Sequence, residues 1–253
     1  MRSNNKSQHQ RRGTGVALGA LCLVVLSPFL GIPLIASAAT PSPVSLLTTA
    51  LRDALAGGWV HEVEVSTANG TSAKYIDEVG TAEGRQEIAL SNGVHVQVIA
   101  FDQRKRMYIR ANALGISSFL GISKTQPGQY ANKWLIVTPQ NTNYSVVASD
   151  TTLKSDFDSQ LSYSGKVTRG SNTTISGTHV AALKWTILKS KNYPAVAVTL
   201  YVTASGTTLP VEMSEKSTSG DYVVQWSKWG RAVALAAPKG AEPMPISPTG
   251  EAA

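Results

Sequence analysis

The chain has 253 residues, 23 of them basic and 16 acidic, with a formal net charge of +7 and a single cysteine. Four of the basic residues fall within the first 38 residues, so the remaining 215 residues carry a net charge of only +3. A chain of that length forms one domain that buries ~70 % of its unfolded surface. This near-neutral balance excludes electrostatic binding of nucleic acid, and the lack of cysteine after residue 38 excludes a disulfide-stabilised fold.

The first 38 residues have the pattern of a secretory signal peptide. Met1–Arg12 is polar and basic, Gly13–Ile35 is apolar, and Ala36–Ala38 is a small-residue cleavage site. The pattern predicts export to the cell envelope or the medium. The apolar stretch also approaches the ~20 residues that span a bilayer, so an uncleaved membrane anchor stays open. Cys22 follows Leu21 instead of a small residue, so lipidation is not expected.

A helix followed by a series of hairpins is predicted for the first part of the exported chain. Apolar residues recur on one helical face of Val44–Ala56, and two glycines end that helix. Strands are then predicted wherever apolar and polar residues alternate, and Asn-Gly and Glu-Gly pairs between the strands predict tight turns. The predicted strands are Trp59–Ala68, Ser72–Thr81, Arg85–Leu90, Val94–Phe101 and Lys105–Arg110.

The segment from Met107 to Trp134 interrupts this pattern of hairpins. A strand-like run leads into the apolar segment Ala111–Ile122, where a helix is plausible, and a strand resumes at Trp134. Apolar side chains need burial, so this segment must cover a sheet, fill a cavity or contact a partner.

A second helix is plausible within Tyr144–Leu161, and strands follow it. They are predicted at Ser162–Arg169, Thr178–Leu188, Ala195–Ala204, Thr208–Lys216, Tyr222–Trp229 and Ala232–Ala237. Residues 39–238 are thus expected to form a single domain. The proline-rich tail, residues 239–253, is expected to be disordered. The order of elements predicts an α+β fold in which a curved antiparallel sheet forms a half-barrel, with helices packed on its concave face.

The sequence contains no catalytic motif and no complete metal-binding motif. The three histidines after residue 38 lie far apart, and Asp156-Phe157-Asp158 lacks the glycine and the final glutamate of a calcium loop. The tryptophans at 226 and 229 are interpreted as core and sheet-edge residues. We therefore expect no enzyme, no metal and no cofactor. The basic cluster Arg104–Arg106 is expected to be a solvated hairpin tip, with contact to anionic lipid headgroups as the alternative.

Four features of the chain resemble the LppX/LprAFG-type bacterial lipoproteins, whose fold is that of the periplasmic carrier LolA. They are the helix before the Trp59 hairpin, the Tyr108 strand before an apolar helix, the Lys133-Trp134 strand, and the late run from Leu209 to Val233. The resemblance spans most of residues 44–238 and rests on spacing and aromatic positions. This chain departs from the family in having no lipobox before its cysteine.

The resemblance implies a half-barrel whose helices enclose acyl chains of lipids or lipidated molecules. By analogy, the apolar segment would line the cavity or form its lid through Leu114, Ile116, Phe119, Leu120 and Ile122. The function expected on this basis is a monomeric, non-enzymatic envelope carrier or sensor of a lipid or acylated molecule. The alternative is an interaction or structural module of the envelope, with a collapsed core and no ligand.

Overall fold

The computed structural model describes residues 40–68, 70–118, 120, 122, 127–141, 144, 151–161, 163, 165–190 and 194–245, and the side chain of Ser159 is left out of this description. Residues 1–39 lie outside these ranges. The predicted signal segment and Cys22 therefore lie outside the described residues. No helix in the described part of the chain has the length and apolar character needed to cross a membrane.

The described chain begins with helix α1, Pro43–Gly57. The hydroxyl of Ser42 caps it by accepting a hydrogen bond from the Ser45 amide at 3.1 Å. Gly58 ends it in the left-handed region at φ 72°, a conformation that glycine adopts without strain. This agrees with the helix predicted over Val44–Ala56.

Five strands follow in a meander, close to their predicted limits. They are β1 Trp59–Ala68, β2 Thr71–Gly80, β3 Glu83–Leu90, β4 His95–Phe101 and β5 Arg106–Ala111. The middle of the chain then contributes α2 Ala113–Ser118, α3 Pro127–Tyr130, β6 Trp134–Val137 and α4 Leu153–Gln160. The second half contributes β7 Thr168–Arg169, β8 Thr173–Ile175, β9 Thr178–Ile187, β10 Val196–Thr203, β11 Pro210–Ser217, β12 Gly220–Ser227 and β13 Glu242–Pro243.

All these strands belong to one sheet, in the order β13-β6-β5-β4-β3-β2-β1-β12-β11-β10-β9-β7, with β8 paired to β9. Every pair is antiparallel except β13 with β6. The first strand of the meander, β1, lies in the middle of the sheet because its second edge pairs with β12. The expected α+β fold with a large antiparallel half-barrel sheet is confirmed.

Two predicted features at the end of the chain differ from the structure. Ala232–Ala237 was expected to be a strand but adopts no regular structure. The sheet position next to β1 is already taken by β12, so this segment has no central edge to join. Within the tail expected to be disordered, Glu242–Pro243 pairs with β6, and the half-buried Met244 packs against the apolar cluster that includes Ile116. Residues 246–253 lie outside the described residues.

The helices cover one face of the sheet, which we call the inner face, over two separate apolar clusters. The long-helix half comprises α1, α4 and strands β9–β12, and its cluster includes Leu47, Phe157, Leu183 and Trp226. The short-helix half comprises α2, α3 and strands β3–β6, and its cluster includes Ile116. Strands β1 and β2 connect the two halves.

Candidate functional site

The inner face of the short-helix half is an apolar floor built by alternate residues of four strands. Period-two alternation places these side chains on one face of the sheet. Each is at most 4 % exposed. The floor consists of Ile88, Val96, Val98, Ala100, Met107, Ile109, Ala111, Leu135 and Val137.

Helix α2 covers this floor and is held to it at its first turn. The Asn112 side-chain oxygen accepts hydrogen bonds from the amides of His95 at 3.3 Å and Gly115 at 2.9 Å, and its nitrogen donates to the Gly93 carbonyl at 2.7 Å. A Cβ at Gly115 would lie 2.9 Å from the Ala111 Cβ, so close packing here requires glycine. The N-terminal end of the cover is therefore a fixed point.

The structure separates the residues predicted to line or lid a cavity. Ile116 is fully buried against the floor, Leu120 is 4 % exposed, and Ile122 is half-buried beside them. Leu114, in contrast, is 52 % exposed at the rim. Phe119 lies outside the described residues. The cavity or lid role of these five residues remains a prediction.

Among the grooves that open on the described part of the molecule, three are considered for size and lining. One of about 320 Å³ lies along β2–β5. Its lining combines residues of the outer face with three residues of the floor, and it includes Lys74, Glu87, Gln97, Arg110, Ile88, Val96 and Ala111. Another of about 410 Å³ lies at the ends of the β1–β2, β3–β4 and β11–β12 hairpins. The third, of about 270 Å³, lies beside the Arg104 tip.

The basic tip is exposed, as a solvated hairpin end should be. Residues 104–106 are all exposed, Lys105 adopts a left-handed conformation at φ 45°, and the Arg104 guanidinium lies 5.1 Å from the centre of the Phe101 ring. Contact of this tip with anionic headgroups stays a prediction.

Between the two apolar clusters lies a buried acidic cluster that sequence reasoning missed. Glu62 and Glu64 extend from β1 and Asp156 from α4, and one carboxylate oxygen of each lies within 4.8 Å of the others. Glu62 is fully buried and Asp156 is 4 % exposed. Asp77, which is 1 % exposed, is paired with Glu62 on the neighbouring strand β2.

The position of α4 brings these groups together. A Cβ at Gly84 would lie 2.3 Å from the Thr151 carbonyl oxygen, so the chain enters α4 in direct contact with β3. The Phe157 ring then packs against Trp226 at 5.7 Å, which fixes the rotation of the helix. Asp156 and Gln160 are one turn apart, so they share the helix face that meets β1.

Gln160 and Tyr222 provide hydrogen bonds to the cluster. The Gln160 side-chain nitrogen lies 2.7 Å from Asp156 Oδ1, 3.3 Å from Glu64 Oε1 and 3.5 Å from Glu62 Oε2. The Tyr222 hydroxyl donates to Glu64. Burial, and next the charge of Glu64, raise the pKa of Tyr222, so its hydroxyl remains a donor at all ordinary pH values.

Glu62 carries the largest electrostatic cost in the cluster. Burial, followed by the nearby charges of Glu64 and Asp77, raises its pKa from 4.5 to about 8. No described lysine or arginine forms an ion pair with Glu62, and its Oε1 atom accepts no hydrogen bond from the described residues. At neutral pH this carboxyl group therefore holds its proton, and it is hydrogen-bonded to Asp156 and Gln160.

The structure also locates the tryptophans and one of the histidines considered in the sequence. Trp226 is buried in the core and the half-buried Trp229 donates from its indole to the Pro210 carbonyl at 3.2 Å, so both act as packing residues. His61 lies 2.9 Å from Glu78 on the outer face, away from the acidic cluster.

The solved structures that are similar to this chain include three bacterial proteins. LprF from Mycobacterium bovis is 16 % identical, with a TM-score of 0.49 over 79 % of this chain and 99 % of its own. The Mycobacterium tuberculosis lipoprotein LppX is 14 % identical, with a TM-score of 0.48 over 77 % and 100 %. A DUF1329 family protein from Desulfovibrio piger is 12 % identical, with a TM-score of 0.28 over 78 % and 96 %.

No protein-family model matches the chain, and no curated protein matches it.

Proposed function

We propose that this protein is an exported, non-enzymatic carrier or sensor that binds the acyl chain of a lipid or lipidated molecule against the apolar floor of the short-helix half. The observation that supports this most strongly is the contrast between an extensive apolar floor and a brief cover. Strands β3–β6 contribute a continuous apolar surface, whereas α2 has six residues and α3 has four.

A six-residue helix has little stability of its own, because isolated helices shorter than about 12–15 residues are marginal in water. Its first turn is tied down by Asn112, so the cover can lift from the other end. Lifting would expose Ile116 and Leu120, at a cost of roughly 3–6 kcal/mol for two side chains. Burial of about ten methylenes of an acyl chain contributes roughly 8 kcal/mol. This exceeds the cost of lifting the cover, so replacement of the α2 contacts by the acyl chain is favourable.

The test is extraction of the exported protein, followed by mass spectrometry, and uptake of a fluorescent fatty-acyl probe. Leu114→Asp places a charge at the exposed rim, where the fold should tolerate it. We expect the probe to bind this variant at least ~10-fold more weakly, since the rim loses apolar contact with the chain. Leu188→Asp, at a residue 73 % exposed after β9, is the matched control and should bind normally.

The complete burial of Ile116 and the 4 % exposure of Leu120 favour a second candidate, an envelope interaction module whose interior is filled by its own side chains. The two functions give opposite results in the same experiment. Protein that is recovered without lipid and takes up no acyl probe would overturn the carrier and leave the interaction module.

A further inference from the structure

We infer that one end of the sheet is a docking surface for the headgroups of anionic phospholipids in a membrane. At this end, five cations from two distant segments surround a groove with two aromatic walls. We call this surface the basic end, and its cations are Arg104, Lys105, Arg106, Lys228 and Arg231. The proposed carrier function does not depend on it, because the basic tip precedes β5 and α2 follows the other end of that strand, roughly 16 Å away.

The first argument is that the fold joins two basic segments that are far apart in the sequence. Lys228 adopts a left-handed conformation at φ 54°, and its carbonyl accepts a hydrogen bond from the Arg231 amide at 3.1 Å, which forms a turn after β12. The Gly230 amide within this turn donates to the Trp59 carbonyl at 2.8 Å. Trp59 also lines the groove beside Arg104. The turn and the basic tip therefore flank the same stretch of β1.

The second argument is that these cations have no acidic partners. All five are exposed, and none forms an ion pair with a described residue. The carboxylates of the two segments and of the groove lining are Glu83 and Asp102. Since the chain after residue 38 has a net charge of only +3, the basic end is a local excess of positive charge. Such a patch attracts an anionic surface.

The third argument is the groove of about 270 Å³ that these cations surround. Trp59 and Phe101 form its aromatic walls. A Cβ at Gly80 would lie 2.7 Å from the Trp59 ring, so glycine is what allows this ring to lie along the groove. The Arg104 guanidinium stands over the Phe101 ring at 5.1 Å from its centre. This position leaves the N–H groups of the guanidinium available to an anion.

Backbone hydrogen bonds fix the shape of the basic tip. The Asp102 amide donates to the Ala82 carbonyl at 2.9 Å, which ties the tip to the turn between β2 and β3. The Lys105 amide donates to the Asp102 carbonyl, also at 2.9 Å. The groove therefore exists before anything binds, so little conformational entropy is lost on binding.

The chemistry of the groove favours a phospholipid headgroup. Arginine binds phosphate through parallel hydrogen bonds, and tryptophan is enriched where a bilayer meets water. Pockets for small molecules begin at roughly 300 Å³, so this groove has room for one headgroup. The cations outside the groove would contact neighbouring headgroups of the same membrane.

The experiment measures binding of the exported protein to vesicles. One set contains phosphatidylcholine alone, and the other contains phosphatidylcholine mixed with the anionic lipid phosphatidylglycerol. We expect at least ~10-fold tighter binding to the anionic vesicles, and loss of this difference in about 1 M NaCl, where the Debye length falls to about 3 Å. The neutral vesicles measure any binding through the apolar stretch Gly13–Ile35 if it stays attached.

Substitutions assign the surface. Each cation near an anionic membrane strengthens binding about fivefold, so removal of several should have a large effect. We expect Arg104→Gln/Lys105→Gln/Arg106→Gln and Lys228→Gln/Arg231→Gln each to weaken binding to anionic vesicles at least ~10-fold. The matched control is Lys74→Gln/Lys216→Gln, which removes two exposed cations near the other ends of β2 and β11. Its affinity should stay within about twofold of the wild type.

Three results would overturn the inference: equal binding of the wild type to both kinds of vesicle, unchanged affinity in both variants of the basic end, or an equal loss in the control. Uptake of the acyl probe in solution, without vesicles, tests the carrier function separately. Either proposal can therefore fail while the other holds.

Hydrogen exchange of the wild-type protein locates the contact without any substitution. Anionic vesicles should slow exchange in residues 102–106 and 228–231 and leave residues 71–74 unaffected, whereas equal exchange with and without vesicles contradicts the docking surface. Inorganic phosphate is the control for a soluble anion. If it protects the same residues as strongly in the absence of vesicles, the groove binds a free anion and membrane docking is wrong.

Discussion

The two halves of the sheet bury similar apolar faces under very different covers. In the long-helix half, α1 has 15 residues and is joined by α4, and both are fixed by large side chains such as Phe157 and Trp226. In the short-helix half, the floor is equally buried, but the cover is α2 with only two buried residues. If the proposed function is right, burial alone does not distinguish a permanent core from one whose cover exchanges with a ligand. The length and anchoring of the covering element do.

The largest expected effect acts on the acidic cluster between the halves. The pKa of Glu62 is about 8 in the folded chain and 4.5 in the unfolded chain. Between these values the unfolded state releases the proton first, so stability is full below pH 4.5, falls as pH rises towards 8, and is constant above that. We expect unfolding free energy to fall by a few kcal/mol across this range, measured by urea unfolding. Glu62→Gln should flatten the profile, and an equally steep profile in that variant would contradict the assignment.

The next largest change in stability is expected in the long-helix half, whose core should not open to admit a ligand. Leu183→Ala removes a fully buried side chain from the middle of β9, and we expect unfolding free energy to fall by about 3 kcal/mol. Acyl-probe binding per folded molecule should not change, because the floor lies in the other half. A loss of probe binding without a loss of stability would show that the ligand lies under α1 and α4.

A smaller effect is expected in the short-helix half. Ile116→Ala should lower unfolding free energy by about 2 kcal/mol, the low end for such a change, since a short cover can settle into the space. Amide hydrogen exchange in α2 should be faster than in α1 in the wild type, and faster still in this variant. Equal protection of α1 and α2 would remove the difference between the halves.

The smallest change in stability is expected at the N-terminus of α1, in the long-helix half. Ser42→Ala removes the hydroxyl that caps α1, and we expect a loss of about 1 kcal/mol in thermal or urea unfolding. Ser45→Ala, three residues further along and also exposed, is the control and should be near neutral. If both variants are equally stable, α1 is held by its packing alone.

The local fold could be predicted because it depends on local signals. Asn-Gly and Glu-Gly turns define the meander of β1–β5, and the two glycines after Ala56 end α1. The pairing of β13 with β6 could not be predicted, since a strand of two residues has no periodicity. It depends on the free edge of β6, which is far away in the sequence. Ala232–Ala237 was wrongly expected to be a strand because β12 already occupies the edge of β1, which its local alternation could not indicate.

The acidic cluster was hidden by the alternation of β1 itself. His61-Glu62-Val63-Glu64-Val65 fits a strand with either face inward, and hydrophobicity favours burial of the valines. In the structure the glutamates face inward and Val65 is 43 % exposed. The decisive partners, Asp156 and Gln160, lie almost a hundred residues away. Only the tertiary fold brings them to β1.

The central pairing of β1 with β12 also governs the order in which the molecule can form. The meander of β1–β5 needs only neighbouring residues and can assemble early, but Glu62 meets Trp226 only after nearly the whole chain has emerged. Until then β1 is an open edge that can pair with other chains, and contacts of such long sequence separation form slowly. We therefore expect the pairing of β1 with β12, which closes this edge, to limit the rate at which the whole sheet forms.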